Sequence, residues 1–109
     1  MDEKDRRTLL KIYGHAKDIV SETSDMHSAA EFSSRNDSKA ALFDLLQIGE
    51  LVGILSRNTL ETITTIPWNQ IRGLRNRIVH GYASVDYVTI WETIQEDIPL
   101  LIQNIEALL

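Results

Sequence analysis

The sequence predicts an all-α protein: an antiparallel four-helix bundle with a short extra helix. Three observations point there. Apolar residues recur every three or four positions through most of the chain. Helix breakers are few, with five glycines and two prolines among 109 residues. No repeat, low-complexity segment or linker interrupts the pattern. The length suits one domain, residues 1–109.

From Asp5 to about Ser21, Leu9, Ile12, Tyr13, Ala16, Ile19 and Val20 form a helical stripe. His15 lies off that stripe and reads as a surface residue. Ser24 to Asp37 is weaker and more polar. Ala29, Ala30 and Phe32 are its anchors, and Ser24 or Asp25 could cap a short helix. His27 reads as a second surface residue. Asp37 or Ser38 begins another strong helix, running to about Leu55. Its apolar residues go nearly all round, so it is expected to be surrounded by neighbours. Asp44, Gln47 and Glu50 form a drifting polar edge. Gly49 and Gly53, four apart, would let another helix approach closely. Glu50 has two readings: a solvated carboxylate, or an interior acid paired with an arginine further along.

Ser56 to Ile66 reads as a threonine-rich connection with room for one helical turn. Pro67 is well placed to start the next helix. Trp68, Ile71, Leu74, Ile78 and Val79 give that helix its buried side, and Gly81 would end it. Val85 and Asp86 lead into the last helix. There Trp91, Ile94, Ile98, Leu101, Ile105 and Leu108 make a bundle seam. Pro99 falls inside it and predicts a kink near Asp97. Apolar seams at both ends of so small a chain predict a homodimer.

Charge and composition narrow the function. A formal net charge of -5 and a pI near 5.1 exclude a global positive field that would draw the chain onto nucleic acid or an anionic membrane. Any nucleic-acid contact must come from a local patch. The absence of cysteine excludes disulfides and thiol catalysis and fits a reducing cytosol. The start, Met1 to Arg7, is charged and lacks the apolar core of a signal peptide. No apolar run approaches the roughly 20 residues of a membrane span. A cytoplasmic protein without membrane contact is expected.

One local patch stands out. Ile71 to Tyr82 holds three arginines, an asparagine, a histidine and a tyrosine, and nothing acidic lies between Glu61 and Asp86. On a helix, Arg72, Asn76 and His80 line one side, and Arg75 leans toward it. A histidine at a helix C-terminus is favoured as the cation, while nearby arginines oppose that, so it can trade protons near neutrality. Arginine offers forked donors that fit phosphate oxygens. The two suffice to cleave RNA through its own 2'-hydroxyl. Spacing alone does not separate this chemistry from a solvated arginine face ended by a capping histidine. No cluster has metal-ligand spacing, and neither metal nor cofactor is expected.

Arg75-Asn76-x-x-x-His80-x-Tyr82 resembles the signature of the HEPN superfamily. Within it the chain is similar to the HepT-like toxins of MNT–HEPN toxin–antitoxin pairs. Gln47-Ile48-Gly49-Glu50, Ile66-Pro67-Trp68, Ile71-Arg72-Gly73-Leu74, Val85-Asp86, Trp91 and Asp97-Ile98-Pro99-Leu100 extend the likeness in register from about position 40 to 109. The first 35 or so residues match only in being helical.

The resemblance implies a HEPN-like bundle acting as a metal-independent endoribonuclease toxin of a type VII-like pair. Its active sites would assemble where the motifs of two chains meet in a homodimer. Arg75 and His80 would be the catalytic pair. Asn76 would orient the histidine or the phosphate, and Glu50 would hold an arginine of the motif. Arg72 shares the motif face and would hold RNA backbone. Arg77 points about 100° from Asn76, toward solvent, the partner chain or RNA. Tyr82 matches the tyrosine that the cognate MNT-type nucleotidyltransferase modifies with AMP; its alternative is a packing ring. The alternative for the whole chain is a non-catalytic helical dimer or partner-binding module.

Overall fold

The computed structural model describes residues 1–79 and 85–109. Helix α1 spans Glu3–Thr23. Asp2 caps it, its carboxylate accepting the Asp5 backbone N–H at 2.7 Å. Leu9, Ile12, Ala16 and Ile19 are fully buried along one face. Val20, at the margin of that stripe, is exposed.

Helix α2 spans Ala29–Ser34. Its cap is Ser28, whose hydroxyl accepts the Glu31 N–H at 3.1 Å. The expected caps lie elsewhere: Ser24 closes the end of α1, its own N–H bonding the Ser21 carbonyl. Phe32 anchors α2. It is fully buried, with ring centroids 6.0 Å from Tyr87 and 5.9 Å from Trp91.

Helix α3 spans Ser38–Val52. It stops three residues before the expected Leu55, capped by Gly53, whose N–H reaches the Gly49 carbonyl. Leu45, Ile48 and Val52 are buried. Within the chain α3 has two main neighbours, α1 and the helix that follows Pro67. One side therefore stays open, with Phe43 57% and Ile54 50% exposed. The all-round apolar pattern predicts an enclosed helix; among the described residues α1 and the helix after Pro67 give it its main cover. Gly53 is exposed and receives no helix.

Helix α4, Arg57–Thr62, fills the threonine-rich connection. Ser56 caps it, and the Asp5 carboxylate reaches across from α1 to accept from Ser56 Oγ at 2.5 Å and Thr59 Oγ1 at 2.5 Å. Helix α5 spans Trp68–Val79. The Pro67 carbonyl accepts the Ile71 N–H, and the Trp68 indole N–H donates to the Ile63 carbonyl at 2.8 Å. Trp68, Ile71, Leu74 and Ile78 are buried as expected. The expected burial of Val79 and stop at Gly81 fall outside the described residues.

Helices α6 (Tyr87–Glu92) and α7 (Ile98–Leu108) are joined without a break by a π-helical turn, Thr93–Asp97. The predicted kink takes that form. Pro99 has no N–H to donate and its ring presses on the preceding turn, and a wider turn accommodates both. Ile98, Leu101 and Ile105 are buried, while Leu108 is 41% exposed.

Helix α1 runs antiparallel to α3: Asp5 meets Ser56 while His15 meets Asp44. It also runs antiparallel to α7. Tyr13 donates to Glu106 at 2.7 Å, and Val20 and Thr23 share a cavity with Ile94 and Pro99. Among the described residues the main helices are α1, α3, α5 and the α6–α7 unit, with the short helices α2 and α4 beside them. Among the described residues there is no strand.

His15 corrects another expectation. It is half-buried rather than free at the surface, with Nδ1 2.8 Å from Asp44 Oδ1. The polar edge of α3 faces α1 here, so the position off the α1 stripe finds a partner. Glu22, two turns further on, lies near Asp44 and Asp18. Burial, hydrogen bonding with Asp44 and the two neighbouring charges push its carboxyl up to about 7.

Candidate functional site

The basic stretch is placed by a close crossing of α3 and α5. A Cβ built on Gly49 would lie 2.9 Å from Cβ of Arg75, so only glycine lets the two helices meet there unshifted. The crossing puts residue 50 beside residue 75, and the Glu50 carboxylate forms an ion pair with Nε of Arg75. The two side chains are about half exposed, 53% and 48%. Glu50 is thus paired, as one of its two readings had it, yet not interior. A pair this wet is worth about 0–1 kcal/mol. An incoming phosphate can therefore compete with Glu50 for the guanidinium at little cost.

Asn76 and Arg72 are exposed on the same helix, four residues apart and so on one face. Arg75, Asn76 and Arg72 together offer two guanidinium forks and an amide on open surface.

Arg77 faces elsewhere. It borders a groove of about 190 Å³ between α5 and the α6–π segment, lined also by Gln70, Thr89, Glu92, Glu96 and Asp97. Nearby, Asp86 caps α6 by accepting from the Thr89 hydroxyl at 2.6 Å and N–H at 3.1 Å. Those bonds, and more weakly the Arg77 charge, hold its carboxyl below the usual range. A phosphate backbone near Arg77 would meet these acids. The remaining motif residues, His80 and Tyr82, lie outside the described residues.

A second polar cluster was not read from the sequence. His15 and Asp18 on α1 and Asp44 on α3 each bring a metal-ligating atom within 4.8 Å of the others. Sequence spacing held half of the signal: His15, Asp18 and Glu22 recur at i, i+3 and i+7, one face of a helix. The other half, Asp44, required knowing that α3 packs on that face. Asp44 stands six residues before Glu50, about 9 Å along the α3 axis. The cluster is therefore separate from Arg75.

Comparison with known proteins agrees with the family resemblance. The family model described as Ribonuclease HepT-like matches residues 12–108. A candidate RNase of Methanocaldococcus jannaschii is 32% identical over 111 residues, covering 100% of this chain and 95% of its own. A second from the same organism is 31% identical over 111 residues, covering 100% and 91%. A protein of Thermococcus cleftensis named "Probable ribonuclease HepT" is 31% identical over 74 residues, covering 64% and 67%. No solved structure matches the chain. Among the described residues no helix is long and apolar enough to cross a membrane.

Proposed function

The chain belongs to the HepT-like ribonuclease family, and on that premise we propose that it is a metal-independent endoribonuclease. It acts in the cytoplasm as the toxin of a type VII-like toxin–antitoxin pair. The observation that carries this reading is an accessible Arg75, seated by Gly49 and Glu50, five residues ahead of His80 in the motif.

Arg75 exchanges Glu50 for a non-bridging oxygen of the scissile phosphate. Asn76 and Arg72 hold the adjoining backbone or the imidazole. The neutral imidazole of His80 takes the proton of the 2'-hydroxyl. The oxygen attacks the adjacent phosphorus, and Arg75 stabilises the added negative charge. The bond to the 5'-oxygen breaks, that oxygen gains a proton, and the products are a 2',3'-cyclic phosphate and a 5'-hydroxyl. The nucleophile belongs to the substrate, so the protein has to position groups and move one proton.

The open side of α3 supports a homodimer. Phe43 and Glu50 share one stripe of that helix, with Ile54 just beyond its end. A second copy laid on it would cover the apolar residues and bring two motifs together. The cognate nucleotidyltransferase silences the toxin by adding AMP to Tyr82.

The experiment is RNA cleavage by purified protein in the presence of chelator. Fragments ending in cyclic phosphate are expected from the wild type and none from His80→Ala, with the helical circular dichroism unchanged. Undiminished cleavage by His80→Ala would falsify the assignment. Binding of RNA without fragments would leave the non-catalytic module instead.

A further inference from the structure

We propose that His15, Asp18 and Asp44 form a binding site for one divalent transition-metal ion that ties α1 to α3. The ligand atoms of His15, Asp18 and Asp44 already lie within 4.8 Å of one another. Ligands about 2.1 Å from a common ion sit roughly 3–4 Å apart. Closing the set requires about 1 Å of movement at side-chain ends. Asp18 is exposed and free to supply it.

The charge arrangement also asks for a cation. Two carboxylates converge on one imidazole, and Asp44 is 6% exposed. Among the described residues, His15 is the one basic side chain in ion-pair range of Asp44, and no lysine or arginine pairs with Asp18 or Glu22. A single imidazole can offset at most one of the two charges. A bound dication supplies the missing positive charge. One imidazole with two carboxylates suits zinc, cobalt or manganese better than calcium, which prefers oxygen ligands alone.

The site spans two helices that otherwise meet through apolar faces, so the ion acts as a clamp. It lies away from Arg75 and takes no part in RNA cleavage, and the proposal stands whether or not the chain cuts RNA.

The test uses the untagged full chain, stripped with chelator and dialysed. Cobalt is titrated and followed by its visible absorption, and thermal unfolding is recorded with and without excess zinc. One cobalt ion per chain and a Tm raised by several degrees in zinc are expected. Asp18→Asn, an exposed change that leaves the fold intact, should weaken cobalt binding at least tenfold. His15→Ala should weaken it as well. No cobalt bound at millimolar concentration overturns the proposal. So does binding that is unchanged in Asp18→Asn and His15→Ala, because the ion then sits elsewhere.

Discussion

Glu50 holds Arg75 in an ion pair on the surface of the bundle, where both side chains keep about half of their exposure. The pair exists because Gly49 removes the one side chain that would push α5 away. In the proposed reaction Glu50 acts through Arg75, as a positioning residue. It fixes the guanidinium near the phosphate and gives way when the phosphate arrives. Glu50→Ala should change folding stability by less than about 1 kcal/mol, since the pair is exposed. It should lower kcat about tenfold through loss of orientation, with little change in KM. Urea denaturation and cleavage kinetics measure the two effects. Faster cleavage by Glu50→Ala would mean that the carboxylate merely competes with RNA.

Arg72 and Arg77 separate by their surroundings. Arg72 shares an open face with Asn76, whereas Arg77 borders the groove that Glu92, Glu96 and Asp97 line. A guanidinium that contacts phosphate releases a counterion, so its removal flattens the salt dependence of binding. For single-stranded RNA each lost contact lowers the log–log slope by about 0.7. Arg72→Ala should show that change, and Arg77→Ala should leave the slope intact. Binding isotherms of the His80→Ala protein across a salt series provide the measurement. A flatter slope for Arg77→Ala alone would move the RNA path to the α5–α6 groove.

Much of this was legible in the sequence, for reasons that particular residues make plain. Leu9, Ile12, Ala16 and Ile19 repeat at helical spacing, and Ile71, Leu74 and Ile78 do the same. Local periodicity reports which face is buried, whatever the partner. The motif on α5 was visible because its residues are close in sequence. What stayed hidden depends on which elements meet. His15 finds Asp44 only through the packing of α1 on α3. Arg77 is set apart from Arg72 by acids that α6 and the π-helical turn carry. The open side of α3 could not be read from composition either. An all-round apolar helix shows how many neighbours it can accept, not how many a short chain provides.

Asp5 governs acid stability at the other end of the bundle. It is 2% exposed and accepts from the Ser56 hydroxyl and N–H and from the Thr59 hydroxyl. These bonds, opposed by burial, hold its carboxyl below the ordinary 3.8. A folded-state pKa below the unfolded one stabilises the fold at pH above 3.8, and that contribution fades as pH falls through the lower value. Asp5→Asn should cost about 1–3 kcal/mol at pH 7. Its deficit against wild type should shrink as pH falls below 3.8, where the unfolded carboxyl takes up a proton that the folded one still resists. Urea denaturation from pH 7 to pH 3 follows the difference. A deficit that stays constant across the series would show that Asp5 acts by shape and not by charge.

Tyr82 is the tyrosine nearest the proposed catalytic pair in sequence, two residues beyond His80. The other two are committed elsewhere. Tyr13 donates its hydroxyl to Glu106, and Tyr87 packs its ring against Phe32. Addition of AMP to Tyr82 would place a phosphodiester, one negative charge and a purine beside the imidazole that must receive the 2'-proton. Bulk and like charge would then exclude the RNA phosphate. Co-expression with the cognate nucleotidyltransferase should add one AMP mass per chain and abolish cleavage. Tyr82→Phe should gain no mass and should remain active in the presence of that partner. Intact-mass spectrometry and the RNA assay, run on the same preparations, report both. A Tyr82→Phe chain that still acquires AMP would move the modification to another hydroxyl while leaving Arg75 and His80 as the cutting pair.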